Sequence, residues 1–153
     1  MYAQPNDSVL GDAHHPHQTL LDDLDLMVRA QFPLLYLVTA EEDPVDEVLV
    51  QLANLGNPPR QLFFWDIVRG WHDNGSGKGS AMSALGRVGK ESLNHSSLFV
   101  IRDLHPIFKT PETERHAPVI REIKNLTKEL KRSRKTLIFT SHTLAVPAEL
   151  LKF

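Results

Sequence analysis

Residues 97–105 read S-L-F-V-I-R-D-L-H, and the fold class follows from this stretch. Leu98, Phe99, Val100 and Ile101 form an apolar run with no polar alternation. Such a run predicts a strand covered on both faces, as in a parallel sheet between two helical layers. It stops at Arg102, Asp103 and His105. A carboxylate just past the C-terminal end of a strand stands where open α/β sheets gather their ligands.

Three comparable runs lie on either side: residues 34–38 (L-L-Y-L-V), 61–65 (Q-L-F-F-W, followed by Asp66) and 136–139 (T-L-I-F). Helical patterns separate them. Leu20, Leu21, Leu24, Met27 and Val28 predict a helix over residues 20–31. Thr19 is its expected N-cap, Asp22, Asp23 and Asp25 fall in its early turns, and Pro33 is its stop. Asp43 and Pro44 are expected to open a second helix, buried through Val45, Val48, Leu49, Leu52 and Leu55 and closed by Gly56. Met82, Leu85, Val88 and Leu93 predict a third, weakened by Gly86 and Gly89. Residues 105–118 read as a loop because of Pro106, Pro111 and Pro118. Val119, Ile120, Ile123, Leu126 and Leu130 then give a strongly amphipathic helix, and residues 147–153 look like the start of another. Alternating strands and helices predict a three-layer α/β domain, with a mostly parallel sheet of about four strands and helices on both faces. By analogy with P-loop ATPases, the strand at 34–38 should lie beside 136–139, followed by 98–101 and then 61–65.

A chain of 153 residues can bury one real core. The expected division is a disordered polar leader over residues 1–19 and a single domain over residues 20–153. The abrupt stop within the last helical pattern is expected to mark a fragment or a shortened relative. His14, His15 and His17 in the leader offer adventitious metal binding only, since nothing rigid surrounds them. The absence of cysteine excludes disulfides, thiol catalysis and thiolate-bound zinc. No apolar segment is long enough to span a bilayer and no signal peptide is evident, so a cytoplasmic protein without membrane association is expected. The net charge is −2, but residues 1–50 hold ten acidic side chains and a single basic one, Arg29.

The motifs argue mainly by what they lack. Residues 75–80, G-S-G-K-G-S, imitate a phosphate loop around Lys78. The true pattern is G-x-x-x-x-G-K-[ST] directly between strand and helix. Here His72 stands where the first glycine belongs, Gly79 replaces the magnesium-binding hydroxyl, and the preceding strand ends too early. A flexible, chemically idle loop is the expectation. The better place for a phosphate loop follows residues 34–38, where the chain reads Thr39-Ala40-Glu41-Glu42-Asp43. It has no glycine and no lysine, and its three carboxylates would repel a triphosphate. Asp103 itself is followed by Leu104, which cannot activate a water.

Asp66, Asp103, His105 and His142 all lie just past strand ends. A metal site or an acid–base pair is one reading. Turn and helix capping is the stronger one, and with no diagnostic ligand spacing no metal site is expected. Arg121, Lys124, Lys128, Lys131, Arg132 and Lys135 make the late helix basic. They suit a helix C-terminus and a protein-docking face. Without interleaved aromatics, nucleic acid is the second alternative rather than the expected partner.

Four segments carry a family resemblance: R-A-Q-F-P-L-L-Y at 29–36, L-F-F-W-D at 62–66, the stretch over 98–108, and residues 121–150. They resemble the N-terminal region of an AAA-type ATPase family of cyanobacteria and algal plastids, the hypothetical chloroplast open reading frame forty-six. The resemblance covers roughly residues 20–150 and implies a degenerate ATPase-like domain that precedes a complete AAA module. By the same resemblance, Asp103 matches the magnesium-binding position and Ser141 the polar sensor position. Thr39, Glu41 and Glu42 occupy the degenerate phosphate loop, with no lysine to complete it. The resemblance implies a non-catalytic regulatory or interaction domain, linked to photosynthesis or inorganic-carbon use, in the cytoplasm or plastid stroma. A protein partner or self-association is expected and no catalytic residue or cofactor, with Mg-ATP binding as the alternative.

Overall fold

The computed structural model describes residues 2–3, 16–91 and 95–150. The elements in order are β1 (Tyr2–Ala3), α1 (Pro16–Arg29), β2 (Leu34–Val38), α2 (Glu42–Asn54), β3 (Gln61–Asp66), β4 (Gly70–Trp71), α3 (Ala81–Lys90), β5 (Ser97–Arg102), α4 (His105–Lys109), α5 (Ala117–Leu130) and β6 (Lys135–Ser141). A single 3₁₀ turn, Ala148–Leu150, follows.

The sheet order is β1-β2-β6-β5-β3-β4. Its four central strands are parallel and lie in the order expected from the sequence. The structure adds a two-residue strand at each edge. β1 pairs parallel with Tyr36 and Leu37, and β4 folds back antiparallel on Trp65 and Asp66.

Period-two alternation distributes the strand residues between two cores. Tyr36, Trp65, Phe99, Ile101, Leu137 and Phe139 face α3, α4 and α5. Leu35, Leu37, Leu98, Val100 and Ile138 face α1 and α2. All six residues of β5 are buried, as an apolar run between two layers requires. Leu20, Leu21 and Leu24 seat α1, Val45, Val48, Leu49 and Leu52 seat α2, and Val119, Ile120, Ile123, Leu126 and Leu130 seat α5.

Several boundaries differ from the expectations, each for a local reason. α1 begins at Pro16, so Thr19 lies inside it and Asp22, Asp23 and Asp25 fall in its middle turns. Proline's fixed φ suits a first helical position, which the leucine spacing alone does not reveal. The helix is closed before Pro33 by Gln31, held at φ 62°. There Phe32 N–H donates to the Met27 carbonyl at 3.1 Å and Gln31 N–H to that of Val28 at 3.0 Å, a Schellman closure. α2 is capped at Glu41 rather than Asp43. Pro44 is then accommodated within the first turn, where backbone N–H groups have no helical partner. Residues 105–109 form the short helix α4 in place of a continuous loop, with Pro106 in its first turn. Leu93, His14, His15 and residues 151–153 lie outside the described residues.

Candidate functional site

The parallel strands deliver their C-terminal ends to one edge. Across it run Thr39 after β2, Ser141 and His142 at the end of β6, Asp103 after β5, and Asp66 ending β3. Pairing continues one step past the strands. Thr39 N–H donates to the Ser141 carbonyl at 2.8 Å, and Asp103 N–H to that of Thr140 at 2.8 Å.

The residues that the sequence assigns to a degenerate phosphate loop form a tight turn. Only Thr39, Ala40 and Glu41 separate β2 from α2. The Thr39 hydroxyl accepts from Glu41 N–H at 3.1 Å and donates to the Glu41 carbonyl at 2.8 Å, so the turn is closed on itself. Arg102 reaches across from β5. Its guanidinium forms a two-pronged bond to Asp46 at 2.9 and 3.0 Å, approaches Glu42 at 3.6 Å and lies over the Phe64 ring. Burial opposes the charge on Arg102, but Asp46 first, and Glu42 beyond it, outweigh that and raise its pKa. The sequence marks Arg102 only as the residue that stops a strand. Its partners lie 56 residues away for Asp46, and nothing local announces them.

The second phosphate-loop imitation is a hydrogen-bonded turn. Gly75 N–H donates to the Trp71 carbonyl, Gly79 N–H to Ile67 and Ser80 N–H to Gly77. Ser76 N–H donates to Asn74 Oδ1. The amides of Gly75, Ser76, Gly79 and Ser80 are thus already bonded, and the Trp65 indole N–H clamps the Gly77 carbonyl at 3.0 Å. This stretch is therefore tied down rather than a free loop. Arg87 lies beneath it, over the rings of Phe63 and Trp71, and forks onto Asp73 at 2.7 and 2.8 Å.

Of the four strand-end residues, the fold brings three together. One ligand atom from each of Asp103, His105 and His142 lies within 4.8 Å of the others. The two imidazoles meet edge to face with centroids 4.5 Å apart. Burial first, and then His142, hold the His105 pKa below its ordinary value. Asp103 has φ 62°, the left-handed region that aspartate tolerates better than most side chains. It also lines a groove of about 430 Å³ with Trp65, Ile67, Ser80, Ile107 and His116. Asp66 is engaged elsewhere. It accepts from Val68 and Arg69 N–H and pairs with His72 at 2.8 Å, and these bonds outweigh desolvation and lower its pKa.

The basic face is smaller than the sequence implies. Lys124 pairs with Glu149 at 2.7 Å, and Lys135 donates to the Val88 carbonyl at 2.8 Å, its pKa lowered by burial. Arg121, Lys128, Lys131 and Arg132 remain on the exposed side. No helix among the described residues is long and apolar enough to cross a membrane.

Comparison with known proteins places this architecture. The chain is 28% identical over 133 residues to the AAA domain-containing protein ycf46 of Trieres chinensis, covering 84% of this chain and 25% of that protein. It is 26% identical over 136 residues to the ycf46 protein of Guillardia theta, covering 86% and 26%. The protein of the same name in Pyropia yezoensis is 29% identical over 131 residues, covering 82% and 25%. The chain thus spans about a quarter of the length of these relatives. No solved structure matches it. Residues 20–153 match the family described as SpoVK-like AAA ATPase, N-terminal domain, and the chain belongs to that family.

Proposed function

We propose that this is a non-catalytic regulatory and protein-interaction domain that works beside an AAA module. The observation that carries the reading is the Thr39–Ala40–Glu41 turn. It is closed on its own threonine and followed by carboxylates, one of them near Arg102. A phosphate loop needs a longer glycine-bearing segment with free amides and a lysine, and this turn supplies none of these. Arg121, Lys128, Lys131 and Arg132 give the domain a cationic face suited to an acidic protein surface or a second copy. A role in regulating photosynthesis or inorganic-carbon use, in the cytoplasm or plastid stroma, is part of the same proposal and rests on resemblance to the family.

A phosphate-release assay with Mg-ATP tests the absence of catalysis. The purified chain should release no phosphate above the buffer blank. Release that disappears in Asp103→Ala would overturn the proposal and establish an unconventional ATPase.

A further inference from the structure

We propose that Asp103, His105 and His142 form a binding site for a divalent transition metal ion of the zinc class. The three donors come from the ends of two adjacent strands. Asp103 and His105 follow β5, and His142 follows β6. One ligand atom of each already lies within 4.8 Å of the other two. In a tetrahedral zinc site, ligand atoms about 2.0–2.1 Å from the metal stand roughly 3.3 Å apart. The remaining distance can be closed by side-chain rotation, since Asp103 and His142 are exposed.

Hydrogen bonding prepares His105 for this role. The Ser141 hydroxyl has one proton, and it donates to the Thr143 carbonyl at 3.1 Å. Its oxygen is also 3.1 Å from His105 Nδ1, and while the hydroxyl proton points at Thr143 this contact is a hydrogen bond in the tautomer that carries its proton on Nδ1. Nε2 is then the nitrogen with the free lone pair. A partner on the second ring nitrogen is the usual way a ligating histidine is oriented and its tautomer fixed. Two imidazoles and one carboxylate select a borderline-soft dication over magnesium, which prefers an all-oxygen shell. Three protein ligands also leave a coordination position for water or for a group from a partner.

The alternative is a ring contact between the two histidines beside an aspartate that holds no ion, and metal titration separates the two. The test uses the full chain with His14, His15 and His17 replaced by alanine, which removes adventitious sites in the leader. Calorimetry with Zn²⁺ at neutral pH should give one ion per chain, with Kd on the order of ten micromolar or tighter. Co²⁺ should give visible d–d bands, and Mg²⁺ should give no heat. His142→Ala and Asp103→Asn, both at exposed positions, should each weaken Zn²⁺ binding by about tenfold or more. His72→Ala and His116→Ala should leave it unchanged. Far-UV circular dichroism confirms that the variants are folded. Absence of saturable Zn²⁺ binding in the starting variant, or binding that survives both His142→Ala and Asp103→Asn, would overturn the proposal.

Discussion

Arg87 shows how much of this molecule is decided by single side chains whose partners are distant in sequence. Its guanidinium lies over Phe63 and Trp71 and forks onto Asp73. Arg87 is the first cause of the lowered Asp73 pKa, outweighing desolvation. A carboxyl whose folded pKa is depressed stabilises the fold above its unfolded pKa, about 3.9 for aspartate, and loses that contribution as pH falls through the folded value. Asp73→Asn should therefore be less stable than the parent at pH near 7, and the gap should narrow in acid below about 3.9. Urea unfolding at the two pH values measures it, and a gap that does not narrow would contradict the assignment. Neither Arg87 nor Arg102 is legible as an organiser in the sequence, because their two-pronged partners, Asp73 and Asp46, lie elsewhere in the chain. The positions of Asp103, His105 and His142 at strand ends were legible. The expected strand order already set 98–101 beside 136–139; what the sequence does not show is that Asp66, the fourth strand-end residue, is engaged by its own turn and by His72 instead.

At the scale of elements, the central strands and the α5 face follow directly from apolar spacing, because burial on one or two faces leaves a periodic trace. The edges do not. β4 has only two residues, and the turn after it is built from backbone hydrogen bonds that composition alone reads as flexibility. Gly70 is the demanding position in that hairpin. Its φ is +69°, and an added Cβ would overlap the Ser76 carbonyl oxygen. A left-handed conformation costs a non-glycine residue about 1–2 kcal/mol before any clash is counted. Gly70→Ala should thus destabilise the domain by more than about 2 kcal/mol. Thermal or urea unfolding would show this, whereas an unchanged midpoint would mean the turn is not held as described. Helix starts were the other weak point. α1 and α2 begin by backbone geometry at Pro16 and Glu42, not at the side-chain caps the sequence offers.

As a whole molecule, the domain has the strand order expected from the P-loop analogy, and the proposal that it binds no nucleotide rests on the turn that follows β2. The turn after β2 is short, acidic and bonded to itself, and Arg102 is engaged with Asp46 and Glu42 beside it. The exposed cations Arg121, Lys128, Lys131 and Arg132 and the Asp103–His105–His142 cluster share no residue, so the proposed docking face and the proposed metal site are tested by separate variants. The measurement that bears most directly on this account is calorimetric titration of the chain with Mg-ATP near physiological ionic strength. No saturable heat is expected at micromolar protein. A dissociation constant in the low micromolar range would contradict it.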